Sequence, residues 1–167
     1  MKPFAKNCMT KNRPIKVVVD TNLFVSGSIL KRGNPFEVLE AWRHKGFVLL
    51  ISSALQTEIA EVLIRPEIKE KYHLTDKEVK DTLRLLQTDA LLTSSAPTLP
   101  VALRDPKDEK VLALAIGGKA DYLVTGDGDL LSVHDNPGLG ELQIVRPTAF
   151  LALLKTEHGE GGGKKAA

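Results

Sequence analysis

The sequence predicts an α/β domain built on a parallel β-sheet with helices over both faces. Short apolar runs of strand length alternate with longer stretches of helical periodicity, and no repeat of fixed period underlies them. The strand runs are apolar at successive positions rather than at every second one, as strands covered on both sides must be. Hydrophobic residues make up 43% of the 167 residues and aromatics only 5%, so one core of ordinary domain size is built mainly from Leu, Val, Ile and Ala.

A first strand is read at IKVVVD (15–20), a β-branched run bounded by Pro14 and by a polar Asp-Thr-Asn. SGSILKRGNP (26–35), with two glycines, reads as a loop. A helix from Pro35 to about Lys45 carries Phe36, Val38, Leu39 and Trp42 mostly on one side, and FVLLIS (47–52) is a second buried strand. Helical spacing returns over Ser53–Ile64 and stops at Arg65-Pro66, because a residue before proline is pushed out of the α region. Thr75-Asp76 opens another helix ending near Thr88, followed by a weaker strand at ALLT (90–93) and the connector SSAPTLP. Pro106 begins a helix that Gly117-Gly118 ends. DYLVT (121–125) is a strand, GDGDL a loop, LQIV (142–145) the last strand, and Pro147 to about Lys155 a closing helix.

Composition narrows the class further. Cys8 is the sole cysteine, which excludes internal disulfides and thiolate metal cages and fits a reducing compartment. No run approaches the ~20 apolar residues of a membrane span, and the N-terminal lysines are followed by no apolar signal core, so a cytoplasmic protein is expected. The net charge of +2 is uneven: +5 over residues 1–16, −4 over 17–154 and +1 over 155–167. The expected organisation is a basic arm (1–14), a single domain (15–154) and a flexible Gly/Lys-rich tail (155–167). A basic arm on an acidic body suits a polyanionic partner, while a short basic terminus also reads as a plain solvated tail.

Four acids then stand out by position. In parallel α/β sheets, ligands gather beyond the carboxyl ends of the strands. Asp20 ends the first strand, and Asp127 lies two residues beyond the fourth, with Asp129 following. Asp108 stacks beneath Val111, Leu112 and Ala115 on the inward face of its helix, where a carboxylate is costly unless a cation or hydrogen bonds compensate. Glu58 flanks the stripe Leu55, Ile59, Val62 and Leu63 in the same way. Lys107 and Glu109 point elsewhere and read as surface, while Asp105, followed by Pro106, reads as a helix N-cap. Converging carboxylates repel unless something positive sits among them. No His or Cys is placed to join them, and oxygen-only ligation suits Mg²⁺ or Mn²⁺.

Taken in order, VVVDTNLFVSG (17–27), Glu58, DPKDEKVLALA (105–115) and DYLVTGDGDLL (121–131) resemble a PIN domain (PilT N-terminus type). The likeness is greatest to the bacterial branch of toxins from toxin–antitoxin systems, and it spans roughly 15–154. It implies a three-layer α/β/α sandwich and a Mg²⁺- or Mn²⁺-dependent ribonuclease that leaves a 5′-phosphate and a 3′-hydroxyl. It also implies a metal-binding, catalytic set of Asp20, Glu58, Asp108 and Asp127. Asn22 and Thr125 match positions that hydrogen-bond the acids or a bound water, and Asp129 matches a frequently acidic position. The resemblance further implies an RNA substrate, a small antitoxin as partner and a homodimer. Arg65, Arg104, Lys31 and Arg32 are the candidate contacts to the nucleic-acid backbone.

Competing readings fail on single residues. A haloacid-dehalogenase-type phosphatase needs a second Asp where Asn22 stands, and a response-regulator receiver needs a late strand-end Lys where the chain has Arg146. The acid spacing of the GDGDL loop does not fit an EF-hand. The alternative from another class is an RNA- or protein-binding PIN module with weak or no cleavage. A genomic neighbour encoding a small DNA-binding antitoxin discriminates in favour of the toxin.

Overall fold

The computed structural model describes the backbone of residues 13–166 and the side chains of residues 13–156. Five strands form one parallel sheet: β1 (Lys16–Val19), β2 (Val48–Ile51), β3 (Leu91–Leu92), β4 (Tyr122–Val124) and β5 (Gln143–Val145), in the order β3-β2-β1-β4-β5. The helices are α1 (Thr21–Ile29), α2 (Asn34–Arg43), α3 (Ser53–Leu63), α4 (Pro66–Lys71), α5 (Asp76–Asp89), α6 (Pro106–Gly117), α7 (Gly128–Ser132) and α8 (Pro147–Ala166). All five strands read from the apolar runs are present.

The strand order explains the layering. From β1 the chain steps outward to β2 and β3, then returns across β1 to β4 and β5. Right-handed crossovers place connections that step in opposite directions on opposite faces. α1 to α5 therefore belong to one face and α6 and α7 to the other. α6 lies across β1, β2 and β4, whereas α2 packs on both α1 and α8. The direction reverses between β1 and β4, which pair Val17 with Tyr122 and Val19 with Val124. Val17, Val18, Leu123 and Val124 are fully enclosed, as are Leu112, Leu114 and Ala115 of α6. Phe150 seats α8 by edge contacts to Phe47 and Tyr122, with ring centroids 5.2 and 5.7 Å away.

The structure departs from the expected elements in four places. The segment read as a loop at 26–35 begins inside α1, because Gly27 is a packing glycine and not a turn residue. A Cβ there would stand 2.5 Å from the Pro35 carbonyl oxygen and 2.8 Å from Leu39 Cγ. Pro66 ends α3 and, at the first helical position, also starts α4. The GDGDL loop contains α7, too short to show a helical period. Glu109 is half-buried rather than plain surface, and its Oε2 accepts from the Leu103 N–H at 3.1 Å.

At the far ends, α8 continues past Leu154 into the stretch that composition sets apart as a tail. Arg13, counted in the basic arm, belongs to the fold: its guanidinium grips Asp121 with two bonds of 2.8 and 3.1 Å. Residues 1–12, with Cys8 and three of the arm's charges, lie outside the described residues. Among the described residues no helix is long and apolar enough to cross a membrane.

Candidate metal centre

The centre forms where β1 and β4 end side by side, at the point of reversal in strand order. The Asp20 N–H donates to the Val124 carbonyl at 3.0 Å, so the two strand ends leave the sheet together. Asp20 caps α1, and its Oδ1 accepts from the Asn22 N–H at 3.4 Å. Thr125, wholly buried, joins the two loops: its hydroxyl donates to Asp20 Oδ2 at 2.8 Å and accepts from the Asp127 N–H at 3.0 Å. Asp127 in turn caps α7, its Oδ1 accepting from the N–H groups of Asp129 and Leu130 at 2.7 and 3.4 Å.

α6 brings the third acid from the side. Asp105 is the N-cap, accepting from the Lys107 N–H at 2.9 Å, and it is exposed. One turn on, Asp108 is only 5% exposed, and its Oδ2 is buried with no hydrogen-bond partner among the described residues. Carboxylate oxygens of Asp108, Asp127 and Asp129 lie within 4.8 Å of one another. Burial pushes the Asp108 carboxyl up to about 6, with Asp127, Asp105, Asp20 and Asp129 adding repulsion. Burial also raises the Asp20 carboxyl, against the opposing bond from Thr125.

The acids chosen from the sequence therefore separate. Asp108 and Asp127 meet directly, and Asp20 is joined to Asp127 through Thr125. Glu58 is half-buried on α3, outside the 4.8 Å group. Asp129, weighed as a supporting residue, stands inside that group. Asn22 reaches Asp20 through its backbone N–H, and its side chain lines a 240 Å³ cleft with Asp20, Leu23, Ser26, Gly126 and Asp127. A larger groove of 790 Å³ between α2 and α8 contains none of the clustered acids.

The four candidate phosphate contacts also differ in place. Arg104 Nη2 donates to Asp129 Oδ1 at 2.8 Å, at the rim of the cluster. Lys31 is paired with Glu78 on α5, and Arg65 and Arg32 are exposed. The Arg104 contact was not legible in the sequence as a pair, because 25 residues separate its partners and only the fold brings them together.

Residues 16–129 match the PIN domain family, and they contain every acid just described. The chain belongs to the PIN domain family. It is also similar to an uncharacterized protein of Methanocaldococcus jannaschii, 30% identical over 121 residues that span 72% of this chain and 76% of that one. PIN domains are typically metal-dependent nucleases, and the donor set here fits such an ion. Three carboxylates converge, one of them has a buried oxygen with no partner among the described residues, and all donors are oxygen. A hard divalent cation suits this set better than a soft one.

Proposed function

We propose that this PIN domain is a Mg²⁺- or Mn²⁺-dependent endoribonuclease that hydrolyses RNA phosphodiester bonds with water as nucleophile. The observation that supports the reading is the convergence of Asp108, whose buried Oδ2 has no hydrogen-bond partner among the described residues, with the carboxylates of Asp127 and Asp129. A buried carboxylate oxygen to which no described residue donates is costly in a fold of purely structural purpose. Asp108, Asp127 and Asp129 would hold the metal, with Asp20 beside them. A divalent ion so held supplies activation of a water and neutralisation of charge on the scissile phosphate.

The protein's own residues position and exclude. Thr125 fixes the Asp20 carboxylate and the Asp127 backbone with one hydroxyl, so the two strand ends cannot drift independently. The caps on α1 and α7 fix the rotamers of Asp20 and Asp127, and the apolar face of α6 keeps bulk water from behind Asp108. The cleft beside Asp20 and Asp127 gives a nucleotide next to the phosphate a place to lie. Glu58, half-buried on α3, enters the proposal as a fifth acid.

Purified protein with Mg²⁺ or Mn²⁺ is expected to cut single-stranded RNA into fragments ending in 5′-phosphate and 3′-hydroxyl. EDTA, Asp20→Asn and Asp108→Asn are each expected to abolish cleavage, and activity surviving either substitution would falsify the site. The toxin role belongs to the same proposal. Induced expression should arrest growth of a bacterial host, and Asp108→Asn should relieve the arrest.

A further inference from the structure

Of the four basic residues that the sequence offers for the nucleic-acid backbone, one touches the acidic cluster. Arg104 lies immediately before Asp105, the N-cap of α6, so its backbone is fixed at the head of the helix that carries Asp108. Its side chain crosses to the first turn of α7, where Nη2 donates to Asp129 Oδ1 at 2.8 Å. Its positive charge acts on Asp127 as well. The guanidinium thus holds one of the three carboxylates that lie within 4.8 Å of one another.

Two properties make this contact unlike the buried bonds around it. Arg104 is 87% exposed and Asp129 35% exposed, so the pair sits in water, where such pairs are held weakly. The backbone of Asp129 is locked, its N–H on Asp127 Oδ1 at 2.7 Å, so only the side chain is free to change partner. An arginine fork binds carboxylate and phosphate by the same paired geometry, and one of its five donors accounts for the contact to Asp129.

We infer that Arg104 is an exchangeable counter-ion of the metal centre. It occupies Asp129 while no nucleic acid is bound, then transfers its guanidinium to a backbone phosphate and releases Asp129 to the metal. Arg104 is a positioning residue for the metal and a contact for the strand. This rests on the proposed metal-dependent cleavage, and it adds a coupling that cleavage alone does not require. If one group serves either Asp129 or the phosphate, metal and RNA must each tighten the binding of the other.

The test is a Mn²⁺ titration of the whole protein by calorimetry or electron paramagnetic resonance, with and without a short phosphorothioate RNA. Wild type should bind Mn²⁺ more tightly when the RNA is present. Arg104→Gln should bind Mn²⁺ up to about fivefold more tightly than wild type without RNA, and the gain on adding RNA should shrink. In EDTA the same variant should bind RNA more weakly, with a log–log salt dependence shallower by about one. Asp129→Asn should do the reverse, weakening Mn²⁺ and strengthening RNA binding in EDTA, since the arginine is then free. Unchanged or weaker Mn²⁺ binding by Arg104→Gln without RNA overturns the exchange while leaving the nuclease reading intact. If wild type shows no Mn²⁺ site that Asp108→Asn removes, the reading and the exchange fall together.

Discussion

Asp108 shows how a single side chain can set the pH dependence of a whole protein. Its carboxyl is raised to about 6 by burial first and by four neighbouring aspartates after, whereas in an unstructured chain it sits near 3.8. Between those values the folded protein holds a proton that the unfolded chain has released. Stability contributed by this group is therefore present below about pH 4 and lost as pH rises through 6. The shift corresponds to about 3 kcal/mol at most. Asp20, also raised chiefly by burial, acts in the same direction. In EDTA, Asp108→Asn should be more stable than wild type at pH 7.5, and urea unfolding should show the gap closing near pH 4. Mg²⁺ or Mn²⁺ should restore the wild type at pH 7.5 and leave the variant unmoved. A gap of constant size across that range would contradict the assignment of burial as its cause. That Asp108 was singled out from sequence follows from its helical phase beneath Val111, Leu112 and Ala115, which needs no knowledge of partners. Asp129 was underweighted because its turn position has an ordinary explanation, and only the packing of α6 against α7 makes it converge with Asp108.

α1 is the element that connects fold to site most directly, since Asp20 is its cap and strand β1 ends at its head. It is also, with α4 and α7, a helix that the sequence does not announce. Its buried positions include Phe24, Gly27 and Ile29, and its serines and glycine are residues that more often mark loops. β1, β2 and β4 were legible because short, continuous apolar runs bounded by polar residues are too short for a helix, whereas β3, with Leu91 and Leu92 exposed, gives only a weak signal. α7 was not legible, since five residues cannot display a 3.6-residue period. The physical reason for Gly27 leads to a prediction. α1 and α2 approach so closely that Gly27→Ala must push its methyl into the Pro35 carbonyl and Leu39, which are backbone and core and cannot give way cheaply. We expect a loss of about 1–3 kcal/mol in urea unfolding, together with weaker Mn²⁺ binding as the head of α1 shifts Asp20. An unchanged unfolding midpoint would show that the two helices can separate at no cost.

For the whole molecule, the sheet keeps stability and chemistry at opposite ends. The carboxyl ends of β1 and β4 carry Asp20, Thr125 and Asp127, while their amino ends carry a second charged arrangement, Arg13 on Asp121. There Asp121, 4% exposed, accepts two bonds from Arg13 and a third from the Lys16 N–H at 2.8 Å. The Asp121 N–H also donates to the Lys16 carbonyl at 2.7 Å, so the pair closes the start of β1 onto the start of β4. Charge counting along the sequence assigned Arg13 to a basic arm, because a residue's charge is visible there and its partner, 108 positions away, is not. Arg13→Met keeps the stem of the side chain and removes the fork. It leaves Asp121 buried with one backbone donor, a loss of about 2 kcal/mol for a charged acceptor deprived of its partner. The expected outcome is a lower unfolding midpoint with Mn²⁺ affinity and cleavage per folded molecule unchanged, measured at a temperature where the variant remains folded. Because β1, β4 and α6 run from one end to the other, a fall in Mn²⁺ affinity would mean that strain at one edge of the sheet reaches the other through those elements.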